Sequence, residues 1–225
     1  MESFGVHYNK IYDAIEARNT RKTNKLLEQY RRDKTLLTNL DINDLFGVVC
    51  QYGDLQSAQT LLEFGANIDG KDTNSGSTAL VAATAYGSEN VVRWLLGSHA
   101  NPNIPTIQGT TALHFAITSR HAAPQTNQRI AKLLIDAHAD IDARNGDGFT
   151  PLMLAAVHCD EDMVRLLINN GASKHIRERS GMTAYELVIY FINALGYASP
   201  MELARFQMMG IVLDENKLRR IARLL

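Results

Sequence analysis

Gly109-Thr110-Thr111-Ala112-Leu113-His114-Phe115-Ala116 and Gly148-Phe149-Thr150-Pro151-Leu152-Met153-Leu154-Ala155-Ala156 are two versions of one pattern. Each is followed by a segment with paired leucines and a small–alanine–polar exit: Leu133-Leu134 to Ala139-Asp140, and Leu166-Leu167 to Ala172-Ser173. The same landmarks recur outward from this pair. The threonine stands at Thr78, Thr111, Thr150 and Thr183, with spacings of 33, 39 and 33. The exit residue stands at Asn67, Asn101, Asp140 and Ser173, with spacings of 34, 39 and 33. Landmarks that keep one register over most of a chain mark an array of supersecondary units.

The array divides into units at 40–75, 76–108, 109–147 and 148–180, with a degenerate last unit at 181–198. Residues 4–39 read as a divergent N-terminal cap. Ile11, Ile15, Leu26, Leu27 and Tyr30 have helical spacing there, and Arg18, Arg21, Lys22, Lys25, Arg31 and Arg32 supply the polar face that an end unit needs. Asn19 and Thr20 are cap residues for its second helix. In the next unit Asp44-Leu45-Phe46 takes the place of Thr-Ala-Leu. The six extra residues of unit 109–147 fall within Ser119–Gln128, and intact apolar spacing on both sides assigns them to the turn between two helices. Residues 199–225 are expected to form a C-terminal helical cap, with helix starts at Ser199-Pro200-Met201-Glu202 and Asp214-Glu215.

The period, the helix–turn–helix content and the string Thr-Ala-Leu-His-Phe-Ala resemble the ankyrin repeat family. The resemblance covers about residues 40–190 and implies an all-α solenoid of five to six stacked units with hairpin loops. It gives His114 a structural hydrogen-bonding role. It also implies a non-enzymatic scaffold or adaptor that binds a partner protein through a concave groove and hairpin tips. The alternative is a targeting module of a host-directed effector or of a larger enzyme. In the family the hairpin asparagine matching Asn103 can be hydroxylated. Here Asn101 replaces the usual acidic neighbour, and a hydrogen-bonding role in the hairpin is expected.

Composition narrows the function. The 225 residues are 45% hydrophobic and carry a net charge of −1, so nothing draws the whole chain to nucleic acid or a membrane surface. Two cysteines, Cys50 and Cys159, cannot build a disulfide framework and fit a reducing compartment. No secretory leader and no spanning apolar run are visible. The expected protein is a cytoplasmic monomer (in a host cytosol if it is a translocated effector). No cofactor, metal or catalytic residue is expected. His158-Cys159-Asp160 are too close in sequence to converge on one reacting atom, and Cys50 reads as a buried small hydrophobe. His99 and His138 replace the helix-ending glycines Gly65 and Gly171, so strain is expected at both.

The partner-binding candidates follow from the resemblance. Positions just before the mid-unit turn give an aromatic ladder of Tyr52, Tyr86, His158 and Phe191, with Phe191 expected in the core. The insertion adds Arg120 and His121. The hairpins add Lys71, Ile107, Gln108, Arg144, Asp147, Phe149, Arg177 and Arg179. Ile107 and Phe149 are expected as apolar groups on solvent-facing tips.

Overall fold

The computed structural model describes residues 4–31, 39–197, 201 and 214–225. Its helices are α1 (Phe4–Glu16), α2 (Thr20–Arg31), α3 (Asn39–Gln51), α4 (Leu55–Glu63), α5 (Ala79–Ala85), α6 (Glu89–Gly97), α7 (Ala112–Thr118), α8 (Pro124–Asp136), α9 (Pro151–Val157), α10 (Glu161–Asn169), α11 (Ala184–Tyr197) and α12 (Glu215–Leu224). Among the described residues the sole β pairing is an isolated bridge between Lys71 and Thr78. The helix start expected at Ser199 lies outside the described residues. The start at Asp214 is present, and its carboxylate accepts from the Lys217 N–H.

The helices form two rows. The first helices of each pair, α1, α3, α5, α7, α9 and α11, pack in succession, while α2 meets α4 and α8 bridges α6 and α10. Small residues let the first row close up: Ala83, Ala116, Ala155 and Ala156 are fully buried. Of each leucine pair one member is fully buried (Leu61, Leu95, Leu134, Leu167) and the other packs half-buried beside it. Successive helical residues point about 100° apart, so a pair covers both the core and its margin. The stack ends on α12, which buries Leu218 and Ile221 against α9, α10 and α11.

Left-handed backbone recurs with the repeat. Positive φ occurs at the mid-pair turn (Arg18, Gly53, Gly87, Cys159), after the second helix (Gly65, His99, His138, Gly171) and in the hairpin (Gly76, Gly109, Gly148, Gly181). His99 and His138 hold φ of 66° and 63°, so the turn keeps its shape and the side chains bear the strain. Arg18 and Cys159 do the same at the mid-pair turn.

Units are stitched by side chains as well as by burial. The Asp69 carboxylate accepts the Asn101 N–H, the Asn103 amide accepts the Asp140 N–H, and Asp142 accepts the Ser173 N–H, at 2.9, 2.7 and 2.9 Å. Asn103 also donates to the His138 carbonyl at 3.1 Å. Buried His114 ties its own unit to the next. Its Nδ1 accepts from the Thr111 N–H at 3.3 Å, so Nε2 carries the proton and donates to the Phe149 carbonyl at 3.1 Å.

Two expectations needed correction. α3 begins at Asn39, so Asp44, in the place of the threonine, does not open its helix as Thr78, Thr111 and Thr150 do; inside the helix it accepts the N–H and hydroxyl of Thr73, both at 3.0 Å. The six-residue insertion lies only partly in the turn. The loop 119–123 is two residues longer than its counterparts 86–88 and 158–160, while α8 has 13 residues against 9 in α6 and α10. One added helical turn absorbs the other four, because Pro124 sets the φ of a first helical residue and starts the helix early.

Two outcomes follow. Replacing His138 with Gly should raise stability by about 0.5–1 kcal/mol, seen as a higher urea midpoint, as relief of left-handed strain exceeds the added entropy of the unfolded chain. Burial holds the His114 ring below its ordinary 6.5, against the backbone acceptors that favour its charge. Only the unfolded state then gains a proton as pH falls below about 6.5, so stability present above that pH is lost on acidification, by up to ~1.4 kcal/mol per pH unit. His114→Gln should flatten that slope in paired urea titrations.

Candidate protein-binding surface

The mid-pair turns place Tyr52, Tyr86, His121 and His158 along one edge of the first-helix row. Tyr86, the C-cap residue of α5, is 41% exposed and stacks on His121 with centroids 4.3 Å apart and planes 11° from parallel. Tyr52 follows α3 and is half-buried, and the Arg18 guanidinium lies 5.9 Å from its ring centroid. His158 caps α9 and is half-buried. Phe191 is buried, as expected, and the ring exposed beside it is Tyr190.

His121 reaches Tyr86 because the loop 119–123 is strapped to the preceding unit. The Ser119 hydroxyl donates to the Ala85 carbonyl at 2.6 Å, and the Asn127 amide donates to the Ser119 carbonyl at 2.9 Å. Ala122 sits so close to Gly87 that a Cβ there would come within 2.2 Å of the alanine methyl. Burial pushes the Tyr52 hydroxyl up from its ordinary range, Glu16, Tyr12 and Tyr86 add to this, and Arg18 opposes it. Tyr12 and Arg18 were not among the sequence candidates. The signal was available: Arg18 occupies the left-handed position that Gly53 and Gly87 occupy in later units.

The hairpin candidates separate into two kinds. Ile107 is 75% exposed, and Gln108, Asp147 and Arg179 are exposed. The others also bind backbone. Lys71 donates to the Pro105 carbonyl at 2.7 Å, and Arg144 donates to the Arg177 carbonyl at 2.9 Å. Arg177 donates to the Gly181 carbonyl and pairs with Glu186 at 2.8 Å. Phe149 is a correction. Its ring is half-buried against the core instead of facing solvent, because the Asn145 side chain accepts its N–H and His114 holds its carbonyl. Arg120 is exposed beside His121.

Elsewhere the chemistry is occupied by structure. Burial pushes both the Cys50 and Cys159 thiols up from their ordinary values, which keeps them protonated. Asp160 is committed to capping α10 through the Met163 N–H at 2.9 Å. An open cleft of about 500 Å³ lies between α8 and α10, but its Arg129, Lys132 and Arg165 are paired with Glu89, Asp136 and Glu161. Among the described residues no group of three or more His, Cys, Asp or Glu converges on a metal position, and no helix is long and apolar enough to cross a membrane.

This is a helical-repeat solenoid with a ring-lined edge. The family described as ankyrin repeats (3 copies) matches residues 13–106, 45–123, 98–178 and 120–195. The chain belongs to the ankyrin repeat family. It is similar to neurogenic locus notch homolog protein 1 of Danio rerio (36% identical over 132 residues, 57% of this chain and 5% of that protein) and to neurogenic locus notch homolog protein 4 of Homo sapiens (34% over 139 residues, 56% and 7%). A putative ankyrin repeat protein of Rickettsia felis is 30% identical over 139 residues, 61% of this chain and 43% of that protein. The chain thus spans less than half the length of each.

Gly87→Ala should destabilise by roughly 2–4 kcal/mol, combining left-handed strain with the clash on Ala122. Adding Ala122→Gly should restore the clash component alone, as read from urea midpoints of the single and double variants.

Proposed function

We propose that the chain is a non-enzymatic adaptor, working as a monomer in a reducing cytosolic compartment, that holds a partner protein along the edge marked by Tyr52, Tyr86, His121 and His158. The Tyr86–His121 stack carries this reading. An exposed aromatic pair held by a strapped loop is already ordered before binding, so it loses little side-chain entropy when a partner arrives. Arg120 and the tips at Ile107, Gln108, Asp147 and Arg179 extend the surface, while Lys71, Arg144 and Arg177 contribute what their hairpin bonds leave free. Phe149 supports the tip from beneath. The two free, buried cysteines support the compartment. Ankyrin repeats are generally protein–protein interaction modules, which supports the adaptor role in its broad form.

A targeting role within a larger or host-directed protein would use the same surface. The small share of the Notch relatives that the match occupies favours it as the second reading. An enzymatic activity recovered only in the captured complex would distinguish it from a simple adaptor.

The experiment is affinity capture with mass spectrometry, comparing the wild type with Tyr52→Ala/Tyr86→Ala. Loss of a partner by about tenfold or more, with helicity and urea midpoint retained, is the expected result. Undiminished capture would remove the groove assignment.

A further inference from the structure

The ring-lined edge has a spacing and a charge that select one kind of occupant. Tyr52 and Tyr86 end consecutive first helices, α3 and α5, which pack directly on each other. Packed helices lie about 8–10 Å apart. A polyproline II chain advances about 3.1 Å per residue with three residues per turn, so every third residue returns to the same side after roughly 9.3 Å. A β-strand covers a similar distance in three residues but turns that third side chain to the opposite face. An α-helix would repeat after seven residues, at about 10.5 Å, yet it needs a trough wide enough for a cylinder of about 10–12 Å. His121 covers one face of Tyr86 and Ala122 closes on Gly87, so what remains open is a ring face and its edge. That suits a pyrrolidine ring.

Charge supplies the direction. Arg18 is exposed at the first-unit end of the row, and its guanidinium lies over the Tyr52 ring. Glu16 also faces Tyr52, but among the described residues it makes no ion pair with Arg18. A guanidinium lying over an aromatic ring, with no carboxylate paired to it among the described residues, is ready to receive one.

We propose that the Tyr52–Tyr86–His121 row docks a proline-rich segment in polyproline II conformation, with proline at every third position and an acidic residue over Arg18. The inference rests on the groove reading above and names the chemistry of its partner. Proline rings pack on the tyrosine faces, and the tyrosine hydroxyls donate to the carbonyls of the extended segment, whose backbone makes no internal hydrogen bonds. Because the segment is ordered before it binds, two or three ring contacts suffice for recognition.

The test uses the full chain and fluorescently labelled synthetic peptides in anisotropy titrations. One probe has proline at every third position and aspartate at both ends. A second has the same composition with prolines at every second position, a third carries lysine at both ends, and a fourth is an apolar-striped helical peptide. The first should bind at least about tenfold more tightly than the second and fourth, and Tyr86→Ala should weaken it by about tenfold. Arg18→Glu should reverse the preference between aspartate- and lysine-ended probes. Tyr86→Phe, which keeps the ring, should retain the period preference, and unchanged urea midpoints show that each variant is folded. Equal binding of the first two probes, preference for the helical probe, or indifference to Tyr86→Ala overturns the proposal. If tyrosine-dependent capture of a partner persists while no proline probe binds, the named chemistry is wrong and the groove reading stands. Capture that ignores the tyrosines removes both.

Discussion

The short helix pairs of this array cannot bury their apolar surface alone. α5 has seven residues and α6 nine, too short to be stable helices in isolation. Each becomes stable because a neighbour covers it: Ala83 and Ala116 let first helices approach, and Leu95 and Leu134 fill the layer behind them. Stability is then passed from unit to unit, and the ends need special treatment. The chain meets this with polar α2 at one end. At the other, α12 buries Leu218 and Ile221 and turns Arg219 and Arg223 outward.

Burial without direction would allow units to slide. Register comes from polar bonds that cross each junction at fixed positions. Asp69, Asn103 and Asp142 accept backbone N–H groups of the next unit, and His114 reaches the Phe149 carbonyl. In the first of these junctions Asn43 accepts the Asn67 N–H from within α3. The same rigidity explains why His99, His138, Arg18 and Cys159 tolerate left-handed backbone: surrounding bonds over-determine the turn, and the side chain accepts the strain.

Much of this was legible in one dimension. Thr78, Thr111 and Thr150 start helices as their positions imply, Asn19 caps α2, and the glycine replacements at His99 and His138 signalled strain that the backbone shows. What escaped depended on partners distant in sequence. Phe149 reads as an exposed tip because nothing in its neighbourhood reveals that Asn145 and His114 fold it inward. The insertion reads as loop because helix propensity cannot place Pro124 as a first helical residue against Ser119 and Asn127. Arg18 reads as one cation of a polar cap, and its reach to Tyr52 exists only once α1 lies beside α3.

Sequence periodicity by itself determined the family, the succession of units and the helix boundaries near strong caps, since these depend on local pattern repeated at 33 residues. Tertiary structure alone decided which candidate side chains remain available. Lys71, Arg144 and Arg177 are partly engaged in hairpin stitching, while Tyr86 and His121, 35 residues apart in the chain, are brought into one stack. Stacking places residues one repeat apart within contact of each other, and no local sequence signal encodes that distance.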